Sequence, residues 1–448
     1  MGIKRVWGVA LLVSVFLWTA VAVWAEPPPP RSGPPRNEEA EVTAEAGFLG
    51  AASTAGPIGG TFVIRNDPGL AEVYPAVAYN RQRQEYLVVW YNDRPDYPDI
   101  QAQRLRWDGT PIGGPFYIAT GAVQRRYPAV AWDSNHDRYL VVWEQKESSG
   151  TGIRGRLVSG AGQVLGESDI AISEMPYVWY GFRPAVAYAY VSDRYLVVWK
   201  RSVSGSISSD IAGQVISGAG TLDGDNLVIA LGTWDYSHDY PALAYDRRVD
   251  EFLVAWERYD KDAHIYDICA QRMTGSGTPL GSPFLIAYYT INSTRPAVAV
   301  ATGVDPGGQY LVVWELQYAP GDKDIYGRPV TGDGTMLPGF YISWADAIDE
   351  TSPAVAGTYY SQHYLVTWKR PHNPPFIWEV IRGRSVPASA SPLGLEKHVG
   401  GVLVGRPAVA EGWPGDFLVV FDDQPLGADR GIYGRLWGSR VYLPLVLK

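Results

Sequence analysis

The sequence predicts an all-β protein closed into a ring, and three observations carry that prediction. A phrase of the form "PAVAY…YLVVW" returns seven times. No stretch shows a 3.6-residue apolar period, while 49 glycines and 34 prolines punctuate the chain. The two ends of the repeat region hold complementary parts of a single copy. The copies begin at Pro75, Pro128, Pro184, Pro241, Pro296, Pro353 and Pro407, spaced 53 to 57 residues apart. A repeat of that length holding several strands matches a propeller blade. The expected fold is a seven-bladed β-propeller over residues 51–438, with four-stranded antiparallel blades and an N-terminal strand closing the last one.

The segments before the ring read differently. Lys4 and Arg5 precede an apolar run from Val6 to Trp24, with small Ala25 before Glu26. That is the layout of a secretory signal peptide over residues 1–25; the length of the run also admits an uncleaved anchor. Residues 26–50, opening "EPPPPRSGPPRNEEAE", combine prolines and acids and are expected to form a disordered linker. No second apolar run of about 18 residues follows, so no membrane span is expected after cleavage.

Within a copy, four pieces read as strands. The first is small, as in "PAVAY" at Pro75. The second, "YLVVW" at Tyr86, is apolar on both faces and needs cover on both faces, which two neighbouring blades supply. It ends in Trp90, Trp143, Trp199, Trp256, Trp314 and Trp368, with Phe421 in the seventh place. Small first strands fit the crowded axis, and the aromatics fit the wider space between blades. The third piece, "DIQAQRL" at Asp99, carries a small residue and then Gln103, Arg156, Gln214, Gln271, Arg328, Arg384 or Arg435. These long polar chains are expected to lie across a neighbouring aromatic and bond backbone or water. A Gly-rich hairpin leads to the fourth piece, "PFYIAT" at Pro115.

The ends supply closure. "GPIGGTFVIR" at Gly56 matches the fourth-strand segment "TPIGGPFYIA" at Thr110, and the last copy stops after its third strand, "GIYGRLW" at Gly431. The N-terminal piece therefore serves as the outer strand of the last blade and removes the open edges. The phrases "YLVVW", "DIYGR" and "GTPLGSPF" resemble repeats of large secreted bacterial propeller proteins. That resemblance covers Gly56 to Gly438 and implies a fold rather than an activity. The boxes that mark WD40, kelch and sialidase blades are missing from it. The tail "VYLPLVLK", residues 439–448, is similar to tails of some exported bacterial proteins. This implies a sorting or cell-surface role; one more strand on the ring is the alternative.

Composition narrows the function. A net charge of −9 argues against nucleic acid as a partner. Cys269 is the one cysteine, so an exported chain has no intramolecular disulfide. Its repeat position holds Gln, Arg, Ala or Tyr elsewhere, and nothing there requires sulfur. The six histidines fall at unrelated repeat positions and form no metal or catalytic motif, and no nucleophile elbow or phosphate loop occurs. Asp99, Asp210, Asp267 and Asp324 recur ahead of strand three; they read as turn residues, with calcium binding as the alternative. No cofactor is expected, and a monomer is.

Antiparallel order puts the loops before "PAVA" and after "LVVW" on one face, and these are the long and varied ones. Directly before each proline stands Tyr74, Tyr127, Arg183, Tyr240, Arg295, Ser352 or Arg406, at the mouth of the central channel. The loops feeding them add Trp179, Tyr180, Trp234, Tyr236, Tyr289 and Trp344. Tyr, Trp and Arg anchor interfaces. The ligand-binding set is therefore Tyr74, Tyr127, Arg183, Tyr240, Arg295, Arg406, Trp179, Trp234 and Trp344. Tyr91, Glu144, Lys200, Glu257, Glu315, Lys369 and Asp422 follow the aromatics; salt bridges between blades explain them better than a catalytic pair. The expectation is a secreted, non-enzymatic protein binding a glycan or a protein on the loop face. A polysaccharide hydrolase or lyase and a structural cell-surface element are the alternatives.

Overall fold

The computed structural model describes residues 27–29, 55–94, 97–147, 150–173, 179–203, 205–301, 309–345, 347–359, 362–371, 378–391, 393–412 and 415–438, with backbone alone at 179, 180 and 203. The signal-peptide expectation and the tail 439–448 fall outside these residues, as does all of the 26–50 linker except Pro27, Pro28 and Pro29.

Seven four-stranded antiparallel blades form a ring, and no helix occurs among the described residues. Blade 1 shows the pattern: Glu72–Asn80, Glu85–Asn92, Ile100–Arg106 and Pro111–Ala119 pair in sequence order. The first strand of every blade touches the first strand of the next, from blade 1 round to blade 7 and back, so these strands line the axis. Small Ala and Val side chains occupy them because seven strands converge there. The third and fourth strands splay outward and are joined by Gly turns. Blades 2 and 3 also meet through one parallel bridge, Tyr180 to Thr151.

The core lies between blades. Trp90, Trp143, Trp199, Trp256, Trp314, Trp368 and Phe421 are fully or almost fully buried. Each blade-to-blade layer mixes strand-two residues of both partners; Leu87 and Val89 of blade 1, for example, pack with Tyr139, Val141 and Trp143 of blade 2. The small residue of strand three is required by this packing. A Cβ on Gly155, Gly213 or Gly327 would come within 2.8 to 3.0 Å of an isoleucine in or directly after the outer strand, Ile172, Ile229 or Ile342.

The polar residue that follows bonds backbone, in two ways. The amides of Gln103, Gln214 and Gln271 donate to carbonyls of their own outer hairpin, at Ile112, Gly224 and Leu280 among others. Arg328, Arg384 and Arg435 instead donate to Ile286, Ile342 and Val399 in the outer strand of the preceding blade. Arg156 pairs with Asp169.

Closure is by the two ends of the ring. Gly56–Arg65 pairs antiparallel with Gly431–Gly438, from Gly56 opposite Gly438 to Arg65 opposite Ile432. Phe62 and Ile64 of this strand pack into the layer between blades 7 and 1.

Cys269 departs from the undemanding position its repeat neighbours suggest. It is buried in the apolar layer between blades 3 and 4, with Trp256 and Ile229, and burial pushes its thiol up to about 12. A small apolar group is what the site accepts.

Candidate functional site at the loop-face mouth

The residue before each blade proline is set by an unusual backbone. Tyr74, Tyr127, Arg183, Tyr240, Arg295 and Ser352 have φ between 49° and 55°, the left-handed region that L side chains avoid. Each sits in a register break between the first two strands, such as Phe182/Ala185 in blade 3 and Thr294/Ala297 in blade 5. A bulge of this kind turns one side chain out of the pleat, here toward the channel mouth. Leaving the strand ladder frees the N–H of the bulged residue, and a carboxylate from the preceding blade takes it. Glu257 accepts from the Arg295 N–H at 3.0 Å, Glu315 from Ser352 at 2.8 Å and Asp422 from Tyr74 at 3.3 Å. The Arg183 N–H bonds Glu144. In blade 4 the Tyr240 N–H donates to its neighbour Asp239, which Lys200 and Arg183 hold at 2.6 and 2.8 Å.

The residues after strand-two aromatics therefore do more than bridge blades as ion pairs: the acids cap the bulges that build the mouth. Burial pushes the carboxyls of Glu144 and Glu257 up to about 7, against the opposing pull of the N–H each accepts. Blade 7 lacks the device. Its first strand is short, Ala408–Glu411, and starts after Arg406, while Lys369 of blade 6 pairs with Glu379 instead.

Six of the nine predicted residues converge. The Arg183 guanidinium lies 4.0 Å from the centre of the Tyr240 ring, with Arg295 at 5.3 Å from the same ring. Tyr74, Tyr91 and Tyr127 form a ring trio, with centroids 4.8 to 5.9 Å apart. Arg406 faces Arg295, Tyr240, Tyr74 and Arg183. Arg183 bonds Asp239, and Arg295 lies 3.4 Å from Glu315. Arg406 makes no hydrogen bond or ion pair among the described residues. By accessible surface the residue is exposed at the mouth. Crowding by the surrounding protein, ahead of the like charge of Arg295, lowers its pKa, and because the residue is exposed this shift weighs little beside the geometry.

The other three predicted residues stand apart. Trp234 is 82% exposed on the rim and Trp344 is half-buried; the Trp179 side chain lies outside the described residues. Tyr289 is buried and Tyr236 lies beneath Arg258 at 4.5 Å, so both brace loops. Beside the mouth, a pocket of about 310 Å³ is lined by Gln124, Arg126, Glu144, Lys146, Thr151 and Phe182, of which the repeat had singled out only Glu144. A larger cavity, about 520 Å³, lies between the outer parts of blades 2 and 3. Four of its polar side chains pair among themselves, Glu147 with Arg154 and Asn226 with Gln214.

The recurring aspartates ahead of strand three are engaged. Asp210 and Asp267 take the cross-strand Arg201 and Arg258, both at 2.6 Å, and Asp324 takes the Ala345 N–H at 3.1 Å. On the opposite face Asp133, His136 and Asp193 come close enough to hold a cation. Arg138 and the Tyr188 hydroxyl already occupy the two carboxylates, and the group reads as a latch between blades 2 and 3.

That opposite face ends differently. Arg81 of blade 1 and Arg247 of blade 4 stack on the ring of Tyr359 in blade 6, at 3.9 and 3.6 Å. Glu411 of blade 7 accepts from Arg81 and from the Tyr359 N–H. Residues of four blades thus meet over the axis at this mouth.

No protein-family model and no curated protein sequence matches the chain. Solved structures do. A Dyadobacter fermentans protein of unknown function is 11% identical, with 85% of this chain and 98% of that chain covered and a TM-score of 0.51. A Hadza microbial sialidase is 11% identical over 78% of this chain and 76% of its own, with a TM-score of 0.47. An α-L-arabinofuranosidase from Fusarium graminearum is 13% identical over 70% and 92%, with a TM-score of 0.45. At these identities the likeness is one of fold alone.

Proposed function

We propose that this chain is an exported binding protein whose site is the loop-face mouth of the channel, and that its ligand is a carbohydrate bearing acidic groups. The observation that carries the reading is Arg406, an exposed cation at the mouth with no hydrogen bond or ion pair among the described residues, set among Arg183, Arg295 and the rings of Tyr74, Tyr127 and Tyr240. Ring faces cover apolar sugar faces, and a guanidinium fork matches a carboxylate or sulfate. The leader layout of residues 1–25 supports export, and no helix among the described residues is long and apolar enough to cross a membrane.

The test is a glycan array probed with the purified chain. Capture of uronate- or sulfate-bearing glycans that weakens with salt is the expected result; capture of neutral glycans only, or of none, contradicts the reading. Glu144 supports a second reading. Its carboxyl is pushed up to about 7, lies in the pocket beside the mouth and has one buried oxygen without a hydrogen bond, as a general acid requires. Cleavage of an array ligand that Glu144→Gln abolishes would establish hydrolysis in place of binding.

A further inference from the structure

The ring leaves one sequence feature unused: the proline run that follows Glu26. Pro27, Pro28 and Pro29 lie on the body of the protein, the last two half-buried. The Pro29 carbonyl accepts two hydrogen bonds, from the Tyr318 hydroxyl at 2.8 Å and the Tyr341 hydroxyl at 2.7 Å. The two hydroxyls also touch each other. They come from different strands of blade 5, Gln309–Ala319 and Phe340–Ser343. Behind them the rings continue inward. Tyr341 meets Tyr326 edge-on at 4.9 Å, and Tyr326 packs against Trp314 at 5.3 Å and Tyr289 at 6.3 Å.

This arrangement has the chemistry of polyproline recognition. A proline run has no N–H to donate, holds an extended helix without internal hydrogen bonds, and leaves its carbonyls free as acceptors. Tyrosines serve it with hydroxyls for the carbonyls and ring surface for the pyrrolidines, and a run already extended loses little entropy on docking. We propose that the Tyr318–Tyr341 cluster of blade 5 is a polyproline docking site, and that its occupant is this chain's own Pro27–Pro29. The N-terminal segment is then strapped to blade 5 rather than free. Tyr318 lies beyond Trp314 on a strand running toward the loop face, so the strap fixes the N-terminus on the side that carries the mouth.

Hydroxyl-radical footprinting of the full chain tests this, read by mass spectrometry at Tyr318 and Tyr341. The comparison chain carries Pro27→Ser, Pro28→Ser and Pro29→Ser, changes outside the blades whose melting curve should match the parent. The expected result is oxidation of both tyrosines several-fold faster in the substituted chain, with protection returning when the free peptide EPPPPR is added in millimolar excess. Equal oxidation rates in the two chains would overturn the proposal.

Discussion

The two mouths of the channel are built from the same residue types and do opposite things. At the opposite mouth Arg81 and Arg247 share the Tyr359 ring, and Glu411 joins Arg81 to the backbone of blade 6 and lends its charge to Arg247. At the loop face the same combination of arginines and tyrosines stops one partner short. Arg183 and Arg295 meet acids, while Arg406 meets other cations and rings. Composition does not separate a plug from a site; the pairing does. A set of cations left one acid short stays open to a ligand that brings the missing charge.

The comparison rests on an intact ring, and the largest expected effect is its loss. Deleting Gly56 to Asn66 removes the outer strand of blade 7 together with buried Ile64 and partly buried Phe62; full burial of one such side chain is worth roughly 1.5–3 kcal/mol. The repeat register leaves no other fourth-strand copy to fill that edge. Calorimetry of the deleted chain should show no single cooperative transition near the parent's; an unchanged transition would break the account of closure.

Tyr359→Ala comes next and probes the plug alone. It removes two cation–π contacts, and the expected loss of stability is about 1–3 kcal/mol. Capture at the loop face should be unaffected. Loss of capture with unchanged stability would show that the two mouths have been assigned the wrong way round.

The third effect is a pH dependence. Burial pushes Glu72, Glu144, Glu257 and Glu411 up to about 7 from 4.5. Between those values the folded ring keeps protons that the unfolded chain has lost, so stability falls as pH rises through the window. His238 opposes them. Buried, and accepting the Trp256 indole N–H at 3.1 Å, it is lowered to about 4 from 6.5, which costs stability as pH falls from 6.5. Four carboxyls outweigh one imidazole, so the melting temperature should be higher at about pH 5.5 than at about pH 8. A melting temperature that climbs with pH would contradict the burial of these groups.

How much of this was legible in the sequence follows from what repeats. Blade count, inter-blade aromatics and ring closure rest on periodic positions, and periodicity reads directly as geometry. The mouth positions were legible too, because a blade proline follows each and the residue before it is mostly Tyr or Arg, although Arg406 of blade 7 sits there without the bulge. The capping role of Glu144, Glu257, Glu315 and Asp422 was not: it depends on a left-handed backbone that no residue type at those positions announces. The plug was illegible for a different reason. Arg81, Arg247 and Tyr359 occupy the turns after the first strands, which share no common residue type, and they meet only because the ring brings blades 1, 4 and 6 to one axis. Cys269 misled because its counterparts vary in polarity, while its own site, between Trp256 and Ile229, is apolar.

The central claim is that Arg406 is kept for a ligand and not for the fold, and Arg406→Ala tests it most directly. Removing a cation without a partner relieves repulsion from Arg183 and Arg295, so the melting temperature should hold or rise. In a titration against an acidic glycan taken from the array, affinity should fall by tenfold or more, the roughly 1.4 kcal/mol or greater expected of an interface arginine anchor. A variant that binds as the parent does, or one that loses its fold, would contradict the claim.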